Sequence, residues 1–484
     1  MAESLKHRSL GSVFWALSES TGAAVISLIA FLGMARLLEP VDFGIVAMAG
    51  AVVLMLNLVI GHGFPDALVQ AREIGPDHVH TAFWSTLAIA LLLAAATASG
   101  AGTIARITGE PAVTDILHWL ALILPLNAMG SVQTAMLRRD LRFRDVAGAT
   151  LVGRTAGAVV GLTMAALGGG AWSLVGQQLA AAVTTNAALA LVYRWMPRLR
   201  FSTSCFRSMA GFGLHVSAGQ LISGIAEQAV NLMLGILYGP VVLGYFNIAW
   251  RTMQLLRSLI ASALYQVGFS MFSRLQDNSE ALRSSFLQAT QLSCLVGLPL
   301  GIGLALVAPH LIVAFYGAKW AASVPILAWL ALHFIPVFFA MFFTACYRAK
   351  GRADWVLYLM AVDLVLTIAG ILALRHEPVV WVAAFWVCKA FAWMPVHVLL
   401  LRRLLGVGAA WLLQPVYVPA AASLIMGAAV FGADRWLSGK VGALAALSLD
   451  VAVGMLVYWI AIRILSPTLQ RFALSTIKTM AAAR

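Results

Sequence analysis

The chain has 484 residues, of which 61% are hydrophobic and only 11% are charged, and its formal net charge is +13. Soluble domains carry about 25% charged residues, so this composition and a mean hydropathy of +0.90 exclude a water-soluble globular protein. Apolar stretches near the roughly 20 residues that a helix needs to cross a bilayer recur along the whole chain. We therefore predict an all-α integral membrane protein with about fourteen transmembrane helices.

In chain order, the predicted spans are separated by short breaks that contain proline, glycine or charge. The first apolar run begins at Gly11 and is too long for the core of a signal peptide, so we expect it to be the first span. The region 286–347 is the least regular, because several prolines interrupt it. The predicted spans cover about 11–36, 41–64, 81–107, 113–137, 146–167, 171–193, 212–238, 241–268, 286–308, 321–347, 355–374, 379–401, 412–434 and 441–465.

The basic residues are concentrated on one side of the predicted membrane. Loops on that side, among them 138–144, 194–207 and 348–352, hold most of the 32 Lys and Arg residues. Positively charged loops stay in the cytoplasm during insertion, so we expect these loops and both termini to be cytoplasmic. This bias explains the net charge without a nucleic-acid partner, for which the sequence shows no binding module.

Two short stretches repeat each other at an offset of 237 − 37 = 200 residues. LLEPVDFGIVAMA starts at Leu37 and LYGPVVLGYFNIA starts at Leu237, and both place a proline and, four residues later, a glycine at matching positions. Each stretch is the predicted outer turn between two spans, and an even number of spans separates them. The repeat is therefore parallel, as in transporters built from two side-by-side lobes.

The repeat predicts four parts of the chain. Residues 1–193 form an N-terminal lobe of six helices, and 212–403 form a second lobe of six helices. A cytoplasmic interfacial linker, 194–211, joins them, since its Trp, Met, Leu and Phe residues alternate with arginines. Residues 404–484 add two transmembrane helices and a short cytoplasmic tail. The glycine pairs Gly157–Gly161 and Gly297–Gly301 are predicted to be close-packing sites between helices.

The repeated motif resembles that of a known family. ARLLEPVDFGIVAMA, followed after one span by GFPDALVQARE, is similar to the Wzx-type oligosaccharide flippases of bacterial surface-polysaccharide assembly, and YGPVVLGYFNIAWR and FSRLQD extend the match into the second half. These proteins belong to the multidrug/oligosaccharidyl-lipid/polysaccharide (MOP) exporter superfamily. The resemblance covers essentially the whole chain. It implies two bundles around a central cavity that opens alternately to either side of the bacterial inner membrane.

The resemblance also implies a substrate and partners. The substrate is a polyprenyl-diphosphate-linked oligosaccharide, flipped from the cytoplasmic to the periplasmic leaflet for exopolysaccharide or lipopolysaccharide assembly. Membrane lipids surround the protein, a proton or sodium ion is a candidate driving ion, and a polysaccharide polymerase or glycosyltransferases are candidate partners. No cofactor is expected, and the chain has no CxxC pair that would indicate a metal site or a disulfide framework.

Charged residues inside predicted spans are the candidate site, because a charge in lipid is costly and is retained for a reason. Arg251, Gln254 and Arg257 follow one face of the eighth span, and Glu227 and Asn231 follow one face of the seventh. Guanidinium groups offer paired donors and a permanent charge to a diphosphate. We predict that these residues bind the headgroup, with an ion pair to Glu227 or another acid as the purely structural alternative.

Four other charges leave more than one interpretation open. Arg154, in the fifth span, is a further substrate-binding candidate, or it extends to the inner surface. Glu19 is a candidate for carrying the coupled ion, or it is neutral and hydrogen-bonded. Asp363 and Lys389, in the eleventh and twelfth spans, are candidates for ion coupling or form a structural ion pair. Asp450, in the added helices, is assigned to packing or lipid contact.

Three other functions compete with the flippase. A polysaccharide polymerase or ligase is disfavoured because the predicted outer loops are short and lack a polar cluster, and no GxxxxGK[ST] phosphate loop occurs; the chain is therefore not expected to be an enzyme. A cation-coupled multidrug exporter of the same superfamily would need acidic residues in its cavity, whereas arginines favour an anion. A flippase for a lipid-linked peptidoglycan precursor shares the diphosphate argument and stays open.

Overall fold

A computed structural model gives the structure of residues 22–71, 73–272, 279–437, 440–471 and 475. Some side chains within these ranges lie outside the description; they are those of residues 212, 214–216, 218–223, 225–227, 259–272, 279, 281–282, 349, 353 and 437.

The described chain is helical and contains no strand. One turn of 3-10 helix, Ala318–Trp320, precedes α10. In chain order the helices are α1 (Gly22–Leu37), α2 (Pro40–Gln70), α3 (Pro76–Thr108), α4 (Ala112–Ala121), α5 (Ile123–Arg139), α6 (Phe143–Ala166), α7 (Ala171–Val192), α8 (Thr203–Phe272), α9 (Ser279–Phe315), α10 (Ser323–Leu332), α11 (Phe334–Phe339), α12 (Phe343–Ala349), α13 (Ala353–Ala373), α14 (Val379–Leu405), α15 (Ala409–Leu437) and α16 (Ala443–Leu465).

Twelve segments of the described chain are long and apolar enough to cross a membrane. The predicted all-α membrane fold is confirmed, whereas the number of fourteen spans stays a prediction. The first predicted span lies partly outside the described residues, and its second part is α1. The seventh and eighth predicted spans both lie in α8, which Gly239 divides because its φ of 80° and ψ of 172° are not helical.

The tenth predicted span is divided into three short helices, α10 to α12. Pro336 has no N–H to offer the carbonyl of Leu332, which explains the interruption at His333. Together the three pieces run from Ser323 to Arg348 and are apolar enough to cross a membrane. The irregularity expected from the prolines of this region is therefore found in its second half.

The chain separates into two compact units, Met1–Asn247 and Ile248–Arg484. Their boundary lies inside α8, near the end of the second copy of the repeated stretch, 237–249. The predicted four-part division at 193, 211 and 403 stays a prediction.

In the first unit, glycines on α6 allow α7 to approach closely. A Cβ atom on Gly157 would lie 2.6 Å from the carbonyl oxygen of Gln177, and one on Gly161 would lie 2.8 Å from the Cβ of Gln177. Such distances leave no room for a side chain. The predicted close packing at Gly157–Gly161 is therefore confirmed.

The linker is fastened to the beginning of α3. The indole Nε1 of Trp84 donates to the carbonyl oxygen of Arg198 (2.8 Å), and the backbone N–H of Arg198 donates to Nδ1 of His80 (3.1 Å). The linker side chains Met196 and Leu199 are 85% and 89% exposed. Apolar side chains exposed beside arginines are what an interfacial segment requires, and this location stays a prediction.

In the second unit, α9 is packed against α10, α11, α15 and α16. A Cβ atom on Gly297 would collide with the ring of Phe338, and one on Gly301 would lie 3.1 Å from the carbonyl oxygen of Ala331. The second predicted close-packing site is thus also confirmed. The hydroxyl of Tyr458 on α16 donates to the carbonyl oxygen of Leu295 on α9 (2.7 Å), which fixes the last helix to α9.

Candidate transport site

The two copies of the repeated turn begin helices in different ways. In the first copy, Pro40 is the first residue of α2, and the carboxylate of Asp42 accepts a hydrogen bond from the backbone N–H of Glu39 (2.9 Å). In the second copy, Gly239 stands where Glu39 stands in the first, and its left-handed φ turns the chain into Pro240. A side-chain cap in one copy and a glycine with positive φ in the other therefore both lead the chain into a proline and a helix.

The two copies contact each other reciprocally within the first unit. A Cβ atom on Gly44 would collide with the carbonyl oxygen of Pro240, and a Cβ atom on Gly244 would collide with the carbonyl oxygen of Pro40. Backbones can approach this closely only where both helices present glycine. The glycine that follows each proline by four residues is thus explained by the partner copy rather than by its own helix.

The contact between α2 and the first half of α8 extends well beyond the turns. A Cβ atom on Gly235 would lie 2.8 Å from Cγ of Met48, and one on Gly63 would lie 2.8 Å from Oγ of Ser217. Residue numbers rise along α2 as they fall along α8, so the two helices are antiparallel. This interface is defined by Met48, Gly63, Ser217 and Gly235, and it is called the α2–α8 seam below.

Replacing Gly44 by Ala is expected to destabilise the protein by about 1–3 kcal/mol, the usual effect of forcing a methyl group into a filled space. The Gly244→Ala change should act in the same direction, because its methyl group would meet the carbonyl oxygen of Pro40 in the same way. The measurement is the thermal midpoint of purified protein in detergent. Gly50→Ala is the matched control, since Gly50 is buried in the same helix and nothing lies within 4 Å of its Cβ position. Equal midpoints for the Gly44 and Gly50 variants would contradict the seam geometry.

Four of the predicted site residues belong to the first unit. Nη1 of Arg154 donates to Oγ of Ser27 on α1 (2.8 Å), and the arginine is exposed. Nδ2 of Asn231 donates to Oε1 of Gln228, one turn away on the same helix (3.1 Å). Glu19 and the side chain of Glu227 lie outside the described residues. The substrate-binding role of these residues stays a prediction.

Three predicted site residues lie on the part of α8 that belongs to the second unit. Arg251 is exposed, and Gln254 and Arg257 are half-buried. The neighbouring Thr252 fixes this part of the helix, because its hydroxyl shares a 2.7 Å hydrogen bond with that of Tyr316, which follows α9. Burial raises the pKa of Tyr316 above its ordinary value, so the phenol stays protonated and can hold this bond.

The other charges of this unit lie on three different helices. Arg257 is on α8, Asp363 is on α13 and Lys389 is on α14. Among the described residues, Arg257 has no hydrogen-bond or ion-pair partner. A half-buried guanidinium group that meets no acid among the described side chains is suited to an anion.

Asp363 and Lys389 form a direct ion pair between α13 and α14. Nζ of Lys389 lies 2.7 Å from Oδ1 of Asp363 and donates to Oγ1 of Thr367 at 2.5 Å. The ammonium group is buried, with the side chain 6% exposed, whereas the carboxylate side is 45% exposed. The structural ion pair that the sequence left open is present, and ion coupling by these residues stays a prediction.

An aromatic network that the sequence analysis did not identify extends this pair. Nε1 of Trp393 donates to Oδ1 of Asp363 (3.0 Å), and Nδ1 of His397 shares a 3.0 Å hydrogen bond with the hydroxyl of Tyr347. The spacing of four residues from Lys389 to Trp393 to His397 is the signal that could have found it, since it places all three on one helix face. Polar tips on aromatic rings are suited to a ligand that is partly apolar and partly hydroxylated.

Comparisons with known proteins agree with this architecture. Residues 33–325 match the sequence profile of a family described as "Polysaccharide biosynthesis protein". The succinoglycan biosynthesis transport protein ExoT of Rhizobium meliloti (strain 1021) is 29% identical over 66% of this chain and 65% of its own length. The lipopolysaccharide biosynthesis protein WzxC of Escherichia coli (strain K12) is 19% identical over 67% of this chain and 66% of its own. The chain thus spans about two thirds of the length of these relatives.

A solved structure has the same fold over nearly the whole chain. The lipid II flippase MurJ in an inward closed conformation superposes with a TM-score of 0.74, covering 94% of this chain and 99% of its own at 13% identity. At that identity the likeness describes the fold alone. The profile match and the two relatives confirm the resemblance that the repeated motif indicated.

Proposed function

The chain belongs to the polysaccharide biosynthesis protein family, and on that premise we propose that it is a flippase for a polyprenyl-diphosphate-linked oligosaccharide. It moves the saccharide from the cytoplasmic to the periplasmic leaflet of a bacterial inner membrane, where the product feeds exopolysaccharide or lipopolysaccharide assembly. Both termini lie in the cytoplasm, and the protein forms or breaks no covalent bond in its cargo. Glycosyltransferases assemble the saccharide before it is flipped, and a polymerase acts on it afterwards.

The reciprocal contact of the repeated turns carries this proposal. Two like turns whose backbones touch at Gly44 and Gly244 form a joint that can separate and close again. A carrier needs such joints at both ends of its path, because one end must stay closed while the other opens. The α2–α8 seam, continuous from Met48 to Gly63, provides contact at both ends.

The second unit supports an anionic substrate that carries sugars. Arg251 and Arg257 follow one face of α8, in the same compact unit as the Lys389–Asp363 pair. Their guanidinium groups would hold a diphosphate with paired hydrogen bonds. The ring of Trp393 and the neighbouring His397 offer surfaces for the adjoining saccharide. A cation-coupled drug exporter would have to bind its cargo beside the same arginines, against their charge.

Depleting the protein is expected to block export and to accumulate its cargo. Membrane lipids of the depleted strain should contain a complete, unpolymerised polyprenyl-diphosphate oligosaccharide while surface polysaccharide falls. A leaflet-accessibility assay should find the saccharide on the cytoplasmic side.

In the same strain, Arg257→Ala should restore export about tenfold less well than the wild type, since a hydrogen bond to a charged group contributes about 1.5–3 kcal/mol. Arg257→Lys should restore part of it.

Arg106→Ala is the control for the arginine variants. Arg106 is exposed and, among the described residues, bonds only to Thr103 and Gly102 of its own helix, so its loss should leave export unchanged. Unchanged lipid-linked saccharide and surface polymer after depletion, in a strain with no second flippase, would overturn the proposed function. Full rescue by Arg257→Ala would leave the function intact and remove Arg257 from the binding site.

A further inference from the structure

A second cluster of ionisable side chains lies in the second unit, apart from the Lys389–Asp363 pair. His310 lies five residues before the end of α9, Asp434 three residues before the end of α15, and Asp450 seven residues after the start of α16. His310 and Asp434 are thus within about two helical turns of the C-terminal ends of α9 and α15, and Asp450 is within about two turns of the N-terminal end of α16. Trp436 and Lys440 lie at the C-terminal end of α15 with the ammonium 4.4 Å from the ring, a pairing typical of a membrane–water interface.

The three side chains converge on one point. Nε2 of His310 lies 2.6 Å from Oδ1 of Asp434 and 3.8 Å from Oδ2 of Asp450. One nitrogen and two carboxylate oxygens from three helices lie within 4.8 Å of one another. Within the described residues, His310 is the only cationic group at ion-pair distance from either carboxylate. With both carboxylates ionised, one imidazole, even when protonated, leaves the cluster with one uncompensated negative charge.

Asp450 is the residue that protein contacts do not satisfy. Its side chain is 1% exposed, and its buried Oδ1 has no hydrogen-bond partner among the described residues. A buried carboxylate without partners is strongly disfavoured. Asp434 is 36% exposed and His310 is 23% exposed, so the cluster is closed by Asp450 on one side and open to its surroundings on the other.

We propose that His310, Asp434 and Asp450 bind a divalent cation of the Zn²⁺ class that joins the last two helices to α9. An imidazole nitrogen with two carboxylates is a donor set for zinc and similar transition metals rather than for magnesium or calcium, which prefer oxygen alone. Metal–ligand bonds of about 2.0–2.2 Å place neighbouring ligand atoms about 3.3 Å apart. The present distances of 2.6 and 3.8 Å bracket this spacing, so small side-chain shifts suffice.

The sequence could not indicate this site. His310 and Asp434 are 124 residues apart, and no short ligand motif connects them. The cation would neutralise the excess carboxylate charge and supply the missing partner of Asp450. Its effect would add to the hydrogen bond from Tyr458 to Leu295, which already connects α16 to α9.

Zinc binding by the purified full-length protein tests the proposal. After treatment with a chelator and exchange into detergent, titration with ZnCl₂ should load one Zn²⁺ per chain by elemental analysis and raise the thermal midpoint, while MgCl₂ should do neither. His310→Gln and Asp450→Asn should weaken zinc binding by about 100-fold or more, since even outer partners of a metal contribute 10–100-fold. Asp434→Asn, at a more exposed position, should weaken binding without threatening folding.

Asp354→Asn is the control, because Asp354 is exposed and pairs with Arg352 outside the cluster. It should bind zinc as the wild type does. The proposal is overturned if the wild type takes up no zinc, or if the His310 and Asp450 variants keep the full stoichiometry and affinity. A midpoint that rises on acidification, with no zinc uptake at any pH, would assign the cluster to a proton instead and would equally overturn the metal site.

Discussion

A disulfide across either end of the α2–α8 seam is expected to stop transport completely and reversibly. Met48→Cys with Gly235→Cys joins the helices near the repeated turns, and Gly63→Cys with Ser217→Cys joins them near the opposite end. Both pairs have suitable geometry: the Cβ position of each glycine lies 2.8 Å from the partner atom that a cysteine sulfur would replace, close to the roughly 3 Å between a Cβ and the distal sulfur of a disulfide.

The expected block follows from alternating access. If the seam opens at one end in each half of the cycle, a covalent bond at either end traps one state and prevents the cargo from leaving on that side. The variants are made in a chain whose own cysteines, Cys205, Cys294, Cys346 and Cys388, are replaced by alanine. Transport of lipid-linked saccharide is measured after oxidation and again after reduction, which should restore it.

The control cross-link joins helices that are not expected to separate. Gly301→Cys with Ile335→Cys connects α9 to α11 inside the second unit, where the Cβ position of Gly301 lies 3.3 Å from Cγ1 of Ile335. Oxidation of this pair should leave transport at the reduced level or close to it. Undiminished transport with either disulfide of the seam fully formed would show that the α2–α8 seam stays closed throughout the cycle. The proposal that this seam opens during transport would then be wrong.

The seam also shows what the sequence could and could not predict. The repeated motif predicted two equivalent turns, because proline at a helix start and a following glycine are local features. The reciprocal close contact of Gly44 with Pro240 and of Gly244 with Pro40 depends on how two helices pack, which no local pattern specifies. The charge of Lys389 in an apolar helix was also visible in the sequence, but its hydrogen bond to Thr367 became visible only in three dimensions.

Some functional candidates could be predicted from the sequence and others could not, and the difference has a physical reason. A charge in an apolar helix stands out in the sequence, so Asp363, Lys389 and Arg257 were predicted as candidates. Histidines and aromatic residues do not, because they are common in apolar helices for packing alone. Asp450 was assigned to packing or lipid contact, and His310 was passed over. Their convergence with Asp434 results from the packing of α15 and α16 against α9, between residues far apart in the chain.

Removing Asp363 alone is expected to destabilise the protein strongly, and removing Lys389 with it is expected to restore folding. In Asp363→Ala the ammonium of Lys389 stays buried with its carboxylate partner gone, a situation that typically costs about 3–5 kcal/mol. Half-exposure of Asp363 favours the lower end of that range. The double variant Asp363→Ala/Lys389→Met removes both charges and keeps the volume of the lysine stem. Yield of monodisperse protein and the thermal midpoint in detergent measure both effects.

The double variant also separates the two interpretations that the sequence left open. The ammonium of Lys389 has three oxygen partners in the structure: Oδ1 and the carbonyl oxygen of Asp363, and Oγ1 of Thr367. Such a set of partners favours a structural role for this cation. We therefore expect the folded double variant to transport lipid-linked saccharide at a rate within about threefold of the wild type, well under the tenfold change that 1.4 kcal/mol represents. A double variant that folds as well as the wild type and yet transports nothing would instead make this pair a part of the coupling mechanism. Arg352→Ala/Asp354→Ala removes an exposed ion pair at the start of the same helix and serves as the matched control for charge loss.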